Sequence, residues 1–254
     1  MIDHAAEAAV IVTAHERRQT LDPISGRAAL SMADAYTIQA LVTEARFRRG
    51  ERRIGWKLGY TSIVMREQMG VDQPNFGPLT DAMFVDDDTD VAGRYTQPRV
   101  EPEVALRFAG DVPDGADRAA VLDAVASAHA ALEIVDSVWT GYRFRIEDNT
   151  ADGSSAAGVV LGGEIPLDRI ADVAVTLEVD GQPAGRGHGR DASGHPADGV
   201  VWLAARLAER GEHIAAGDVV ITGGLTAAAA LMPGSVIAGV FDGDLAVRVR
   251  RSRP

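Results

Sequence analysis

The segment Val100-Glu101-Pro102-Glu103-Val104 sets two carboxylates one residue apart, and a third acidic stretch, Ala131-Leu132-Glu133-Ile134-Val135-Asp136-Ser137, follows about thirty residues later. Side chains two apart on a strand face the same way with Cα atoms roughly 6.5 Å apart, so Glu101 and Glu103 can address one point from one side. A carboxylate from another strand would complete three oxygen ligands. Such a set suits Mg²⁺ or Mn²⁺, with the remaining octahedral positions left to water or substrate, and suits zinc poorly. Spacing alone is met as well, and more often, by the wet face of a half-exposed strand.

The elements that would position these residues follow from pattern. Residues 3–19 read as an alanine-rich amphipathic helix, 21–26 as a loop, and a second helix starts after Ser31 as N-cap and runs to about Arg49, with Gly50 ending it. Strand-like segments come next at 53–59, 100–108, 131–139, 157–161 and 173–179. Helices are expected between them at 116–130 and 199–210. The final stretch reads as strands 218–221 and 245–249 separated by a Gly- and Ala-rich loop. The expected fold class is mixed α/β and β-rich, a single catalytic domain over 1–254 with a helical arm (1–50) and a β-rich body (51–254).

Composition narrows the function classes. With 254 residues, 46% of them hydrophobic and 24% charged, the chain can bury a full core. No apolar run approaches the roughly 18 residues that span a bilayer, and Met1-Ile2-Asp3-His4 lacks the plan of a signal peptide, so a cytoplasmic location away from membranes is expected. The absence of cysteine removes disulfides, thiolate nucleophiles and cysteine-bound zinc. A net charge of −12 argues against nucleic acid, which is bound through clustered Lys and Arg. The basic tip Arg248, Arg250, Arg251 and Arg253 reads as a solvated strand end, and the acidic run Asp86, Asp87, Asp88 and Asp90, which lacks calcium-loop spacing, as a solvated turn.

Six motifs occur in one order: Gly55-Trp56-Lys57-Leu58-Gly59-Tyr60-Thr61-Ser62, Met69-Gly70-Val71-Asp72-Gln73-Pro74-Asn75-Phe76-Gly77, Leu79-Thr80-Asp81-Ala82-Met83, the Glu101/Glu103 pair, Leu132-Glu133-Ile134-Val135-Asp136-Ser137, and Ala151-Asp152 followed by Ser155. Each is weak alone, but the ordered set resembles 2-keto-4-pentenoate hydratases and the sister 4-oxalocrotonate decarboxylases of the fumarylacetoacetate hydrolase superfamily. The resemblance covers most of the chain. It implies that superfamily's C-terminal-domain-like mixed β-sheet body and a Mg²⁺ or Mn²⁺ enzyme of aromatic or steroid meta-cleavage catabolism. It implies Glu101, Glu103 and Glu133 as metal ligands, with Asp136, of opposite strand parity, near the substrate unless a bulge exchanges it with Glu133. Lys57 would supply charge stabilisation or proton transfer at a chelated 2-oxo acid. Ser155 and the Thr222-Gly223-Gly224 turn would meet the substrate, the turn through hydroxyl and backbone N–H groups. A homo-oligomer is implied, with a neighbouring pathway enzyme as a further partner.

Two departures qualify this. The hydratases read Gln-Pro-Asp-Phe-Gly where this chain has Gln73-Pro74-Asn75-Phe76-Gly77, and an asparagine cannot accept a proton, so the catalytic position carries a different group. The segment from Gly185 to Pro196, apolar in the family, here contains Arg186, His188 and Arg190, which could meet an anionic substrate end or be merely exposed. The expected activity is hydration of a 2-hydroxy-2,4-dienoate, through its 2-oxo tautomer, to a 4-hydroxy-2-oxo acid. Decarboxylation of a 2-oxo-hexenedioate is the runner-up, because residues 207–213 and 222–228 look closer to the decarboxylases. An acylpyruvate C–C hydrolase, which would need His4, His15 or His129 near the metal, and a degenerate 2-oxo acid-binding relative remain open. A Ser-His-Asp hydrolase and a dinucleotide-binding dehydrogenase lack their motifs.

Overall fold

A computed structural model describes residues 2–253 except 64, 65, 68 and 69. Met1 and Met69 of the motifs above lie outside the described residues. Helix α1 (His4–Arg17) starts where the Asp3 carboxylate accepts the Ala6 N–H. Helix α2 (Met32–Phe47) starts at Ser31 in a reciprocal capping box with Asp34, which satisfies two of the N–H groups a helix start leaves free. Their apolar stripes, Ile11 and Ala14 on α1 with Ala35, Ile38 and Val42 on α2, form a small core with Ile24, Trp139 and Ala151. This helical arm is fastened to the body where the buried Gln39 amide donates to the Phe76 and Thr150 carbonyls.

The body contains, among the described residues, two sheets. The larger comprises β1 (Arg53–Gly59), β2 (Asn75–Thr80), β3 (Phe84–Val85), β5 (Arg99–Phe108), β6 (Val125–Val135), β7 (Ala156–Ile165), β10 (Val219–Ile221) and β11 (Ala229–Ala230). Its order is β2-β1-β10-β5-β6-β7-β3, with β11 on the end of β5. The smaller, ordered β4-β13-β12-β8-β9, comprises β4 (Thr89–Asp90), β8 (Ala174–Val179), β9 (Gln182–His188), β12 (Ser235–Phe241) and β13 (Leu245–Arg251). Helices α3 (Arg118–Ala124), α4 (Ile146–Ala151) and α5 (Pro196–Ala208) also lie in the body.

Alternation along the central strands decides which side becomes core and which becomes site. On β5 and β6 the residues Val104, Leu106, Leu132 and Ile134 join one large apolar core with Ile237, Phe241, Val247 and Val249 of the second sheet. The opposite parity carries Glu101, Glu103, Ala105, Ala131 and Glu133, bordered by Leu79, Val159 and Ile221. A one-residue slip would exchange the acids with the core, so the register is strongly specified.

The structure departs from the sequence expectations in five places. The helix expected over 116–130 ends at Ala124, and 125–135 is the longest strand, paired on both sides. Alanine favours helices, but Ala128, Ala130 and Ala131 are buried in a ladder where small side chains let the layers approach, and packing outweighs propensity. Strand β2 went unread because Pro78 interrupts its pattern, which an edge strand tolerates. The stretch taken as a polar loop after 185 begins as edge strand β9, and the loop assigned between 221 and 245 contains β12. The acidic run is not simply solvated: Asp88 pairs with Arg250, and Asp87 and Asp90 accept the Arg248 and Ser252 N–H groups, which ties the basic tip down.

Candidate metal centre and active site

Glu101 stands directly across from Glu133 in the β5/β6 ladder, and Glu103 is two residues along on the same face. One carboxylate oxygen from each lies within 4.8 Å of the others. Glu103 and Glu133 are fully buried, whereas Glu101 is partly open to a cleft of about 560 Å³. Lys57 enters from β1, its ammonium 3.0 Å from Glu133 Oε2 and donating to the Ser154 carbonyl at 3.0 Å.

Three carboxylates, two of them fully buried, against one lysine leave an excess of negative charge. Burial, then repulsion from Glu133, pushes the Glu101 carboxyl up to about 8. Burial and the two neighbouring glutamates hold Glu103 well above the usual range. Burial raises Glu133 too, opposed by Lys57. Burial would lower the Lys57 ammonium, but the pull of Glu133, Glu101 and Glu103 outweighs it and the ammonium is raised. Such a cluster is costly unless something neutralises it.

The surroundings fit a hard divalent cation. Glu103 Oε1 and Glu133 Oε1 are buried without a hydrogen-bond partner among the described residues, while Glu103 Oε2 is anchored by the Gly223 N–H at 2.6 Å. Gly224 leaves the space that Glu101 occupies: a Cβ there would stand 2.2 Å from Glu101 Oε2. Gly223, at φ +107°, has Thr61 where a Cβ would go. An all-carboxylate set with free oxygens matches the ligand preference of Mg²⁺, Mn²⁺ or Ca²⁺ and not of softer metals.

The wall beside Lys57 is a stapled turn. Gly153, Ser154 and Ser155 all have positive φ (77°, 58° and 56°), a conformation that costs non-glycine residues energy and persists only where the surroundings impose it. Ser154 Oγ donates to Asn75 Oδ1 at 2.9 Å, and Asn149 Nδ2 donates to Ser155 Oγ at 2.9 Å. Asn149, Ser154 and Ser155 line the cleft. Asn75 does not. It is fully buried, its amide donates to Asn149 Oδ1 and Thr150 Oγ1, and its carbonyl oxygen is taken by Ser154.

Other expected positions separate likewise. Asp136 faces away from the cleft: its carboxylate accepts the Thr96 and Gln97 N–H groups and borders a separate cavity of about 230 Å³ beside His15, Arg46 and Arg94. The odd spacing from Glu133 explains this. Thr222 sends both its N–H and its hydroxyl to the Val104 carbonyl, so it closes the turn and does not face the cleft, whereas Gly224 lines it. Arg186, His188 and Arg190 do not line the cleft either; Arg190 pairs with Asp172, and of that segment Asp191 stands at the cleft wall. Sequence reasoning missed Arg99, Tyr142 and Phe144 in the cleft, with the Arg99 guanidinium 4.1 Å over the Tyr142 ring. Arg99 shares the parity of Glu101 and Glu103 and so was legible; the aromatic pair, in an irregular segment, gave no signal.

The fumarylacetoacetate hydrolase C-terminal family model matches residues 54–250. The chain is 38% identical to a 2-keto-4-pentenoate hydratase of Burkholderia vietnamiensis over 84% of both chains. It is 35% identical to a 4-oxalocrotonate decarboxylase of Pseudomonas putida over 87% of this chain and 86% of that one. A solved structure of 4-oxalocrotonate decarboxylase from Pseudomonas putida G7, complexed with magnesium and adipate, superposes with a TM-score of 0.92 at 29% identity, covering 98% of this chain and 97% of that one. The chain therefore belongs to the fumarylacetoacetate hydrolase superfamily, within the group of 2-keto-4-pentenoate hydratases and 4-oxalocrotonate decarboxylases.

Proposed function

We propose that the protein is a divalent-metal-dependent hydratase that converts a 2-hydroxy-2,4-dienoate, through its 2-oxo tautomer, to a 4-hydroxy-2-oxo acid. The observation that carries this is the convergence of Glu101, Glu103 and Glu133 with buried Lys57 at the floor of one cleft, with carboxylate oxygens left unpartnered. The three glutamates would hold Mg²⁺ or Mn²⁺. When bound, the ion supplies Lewis-acid polarisation of a 2-oxo carboxylate. Lys57, fixed by Glu133 and the Ser154 carbonyl, presents a permanent positive charge beside the same groups and favours the enolate over the neutral keto form. Tyr142 and Phe144 line the cleft and would give the hydrocarbon part of the substrate an apolar wall.

Decarboxylation of a 2-oxo-hexenedioate is the second reading, favoured by the 0.92 superposition on a decarboxylase and by Asn75, which removes the carboxylate found in the hydratases. The discriminating experiment presents 2-hydroxypenta-2,4-dienoate and 2-oxo-hex-3-enedioate to the protein with Mg²⁺ or Mn²⁺ and with an EDTA control. Metal-dependent loss of dienol absorbance to a hydrated product without CO₂ supports hydration. Metal-dependent CO₂ release from the diacid alone overturns it in favour of decarboxylation.

A further inference from the structure

Addition of water to an enone needs a group that takes a proton from the attacking water, and of the carboxylates at the cleft wall Asp191 already has its Oδ2 taken by the His188 N–H. Asn75 has no basic oxygen and its hydrogen bonds are spent. Lys57 is a cation held against Glu133, and the three glutamates are the set that would hold the metal ion. Directly behind the cleft wall, however, lies a buried carboxylate that the site does not otherwise use. Ser155 Oγ, on the cleft wall, donates to Asp152 Oδ2 at 3.3 Å. The same oxygen accepts from Ser137 Oγ at 3.0 Å and from the Val138 N–H at 3.1 Å. Asp152 Oδ1 has no hydrogen bond among the described residues and stands 3.2 Å from His15 Nε2. The Asp152 side chain is completely buried.

We infer that Asp152, acting through the Ser155 hydroxyl, receives the proton of the attacking water and returns it to carbon. The inference rests on the hydration reading above. Asn149 and Asp152 together orient Ser155: one amide donates to its oxygen and one carboxylate takes its proton, which leaves the hydroxyl a lone pair for the cleft. In the forward step the water passes a proton to Ser155 Oγ while Ser155 passes its own to Asp152 Oδ2. The water oxygen forms the bond to C4, and the C3–C4 π pair moves to the 2-oxo group as an enolate. In the return step Asp152 gives its proton back through Ser155 to C3, where the enolate pair takes it. One hydrogen of the water ends on C3, the other stays on the new C4 hydroxyl, and Asp152 finishes as a carboxylate. The strained turn at 153–155 has a use in this scheme: it brings Ser155 to the cleft wall while keeping its oxygen within reach of Asp152. Ser155 is the residue that touches substrate; Asp152 is a positioning and proton-storing residue behind it.

The test is a double-mutant cycle on dienol hydration with Ser155→Ala, Asp152→Asn and the double variant, beside wild type. Mn²⁺-induced thermal shifts of all four confirm an intact metal centre. Wild-type hydration without CO₂ release keeps the hydration reading in place, whatever the variants do. The expected result is a kcat loss of about 10²-fold in each single variant with KM within about threefold, and no further loss in the double, because the two groups act as one unit. A Ser155→Ala kcat within about threefold of wild type, or losses that multiply in the double, would overturn the relay. Should Asp152→Asn fail to fold, Ser155→Ala alone decides, since it leaves the Asp152 bonds to Ser137 and Val138 in place. A wild type that only decarboxylates overturns the relay together with the hydration reading.

Discussion

Glu103→Gln separates a metal ligand from a structural carboxylate. The substitution keeps the shape of the side chain, and the amide oxygen can retain the bond from the Gly223 N–H that Glu103 Oε2 now accepts. Its NH₂ then replaces an oxygen that has no partner, facing Glu101 and Glu133, whose carboxylates can take its protons. The metal-free fold therefore loses nothing and sheds one of three mutually repelling buried acids, so its Tm should match or exceed that of wild type. The metal response goes the other way. At an ion concentration of 100 Kd a wild-type site gains about 2.7 kcal/mol, which for a chain of this size is a rise of roughly 5–10 °C at about 2–4 °C per kcal/mol. Loss of one of three charged ligands should weaken binding by about 10²-fold or more and erase nearly all of that gain. Thermal denaturation of EDTA-treated protein, with and without added Mn²⁺ or Mg²⁺, reads both quantities. An undiminished metal shift in the variant would refute the ligand assignment. A drop of several kcal/mol in the metal-free state would show that Glu103 is instead a structural partner.

Three further outcomes follow from the same geometry. Gly224→Ala places a Cβ against Glu101 Oε2, so the variant should fold with wild-type circular dichroism yet lose at least about tenfold in metal affinity, measured by calorimetric titration. Asn75→Asp, which restores the carboxylate of the hydratases, removes the donors to Asn149 Oδ1 and Thr150 Oγ1 and buries a charge against them; it should cost about 1–3 kcal/mol in urea unfolding and raise no activity. The pH dependence has a definite sign: Glu101, Glu103 and Glu133 are raised in the metal-free fold, so it binds more protons than the unfolded chain and its stability falls as pH rises from the ordinary glutamate value through about 8. Protons and metal compete for these oxygens, so the metal-induced Tm shift should grow between about pH 6 and pH 8.5; a shift that is flat or shrinks over that range would contradict it.

Much of the centre could be read from the chain because the strand period is two. Glu101 and Glu103 share a face by that period, whereas the choice of Glu133 over Asp136 came from the family resemblance, with a bulge left open, and the structure sets Glu133 across from Glu101 and turns Asp136 to the Thr96 and Gln97 N–H groups. Lys57 stood out as a lysine inside an apolar, glycine-flanked strand. The sheet was less legible where local composition and long-range pairing disagree: the alanines of β6 favour a helix until β5 and β7 close on them, and Pro78 disguises β2. The role of Asn75 could not be read either, since it depends on side chains more than seventy residues away. Ser155 was legible only as part of a motif. Its connection to Asp152 depends on three successive left-handed residues, a conformation that sequence pattern does not specify at serine.

The most direct test of the central claim is turnover of 2-hydroxypenta-2,4-dienoate by metal-stripped protein titrated with Mn²⁺, with bound ion counted by electron paramagnetic resonance. The account requires no turnover at zero occupancy and a rise in hydration proportional to occupancy that stops at one ion per chain. Turnover that persists without metal, or protein fully loaded with Mn²⁺ that hydrates nothing, would contradict it.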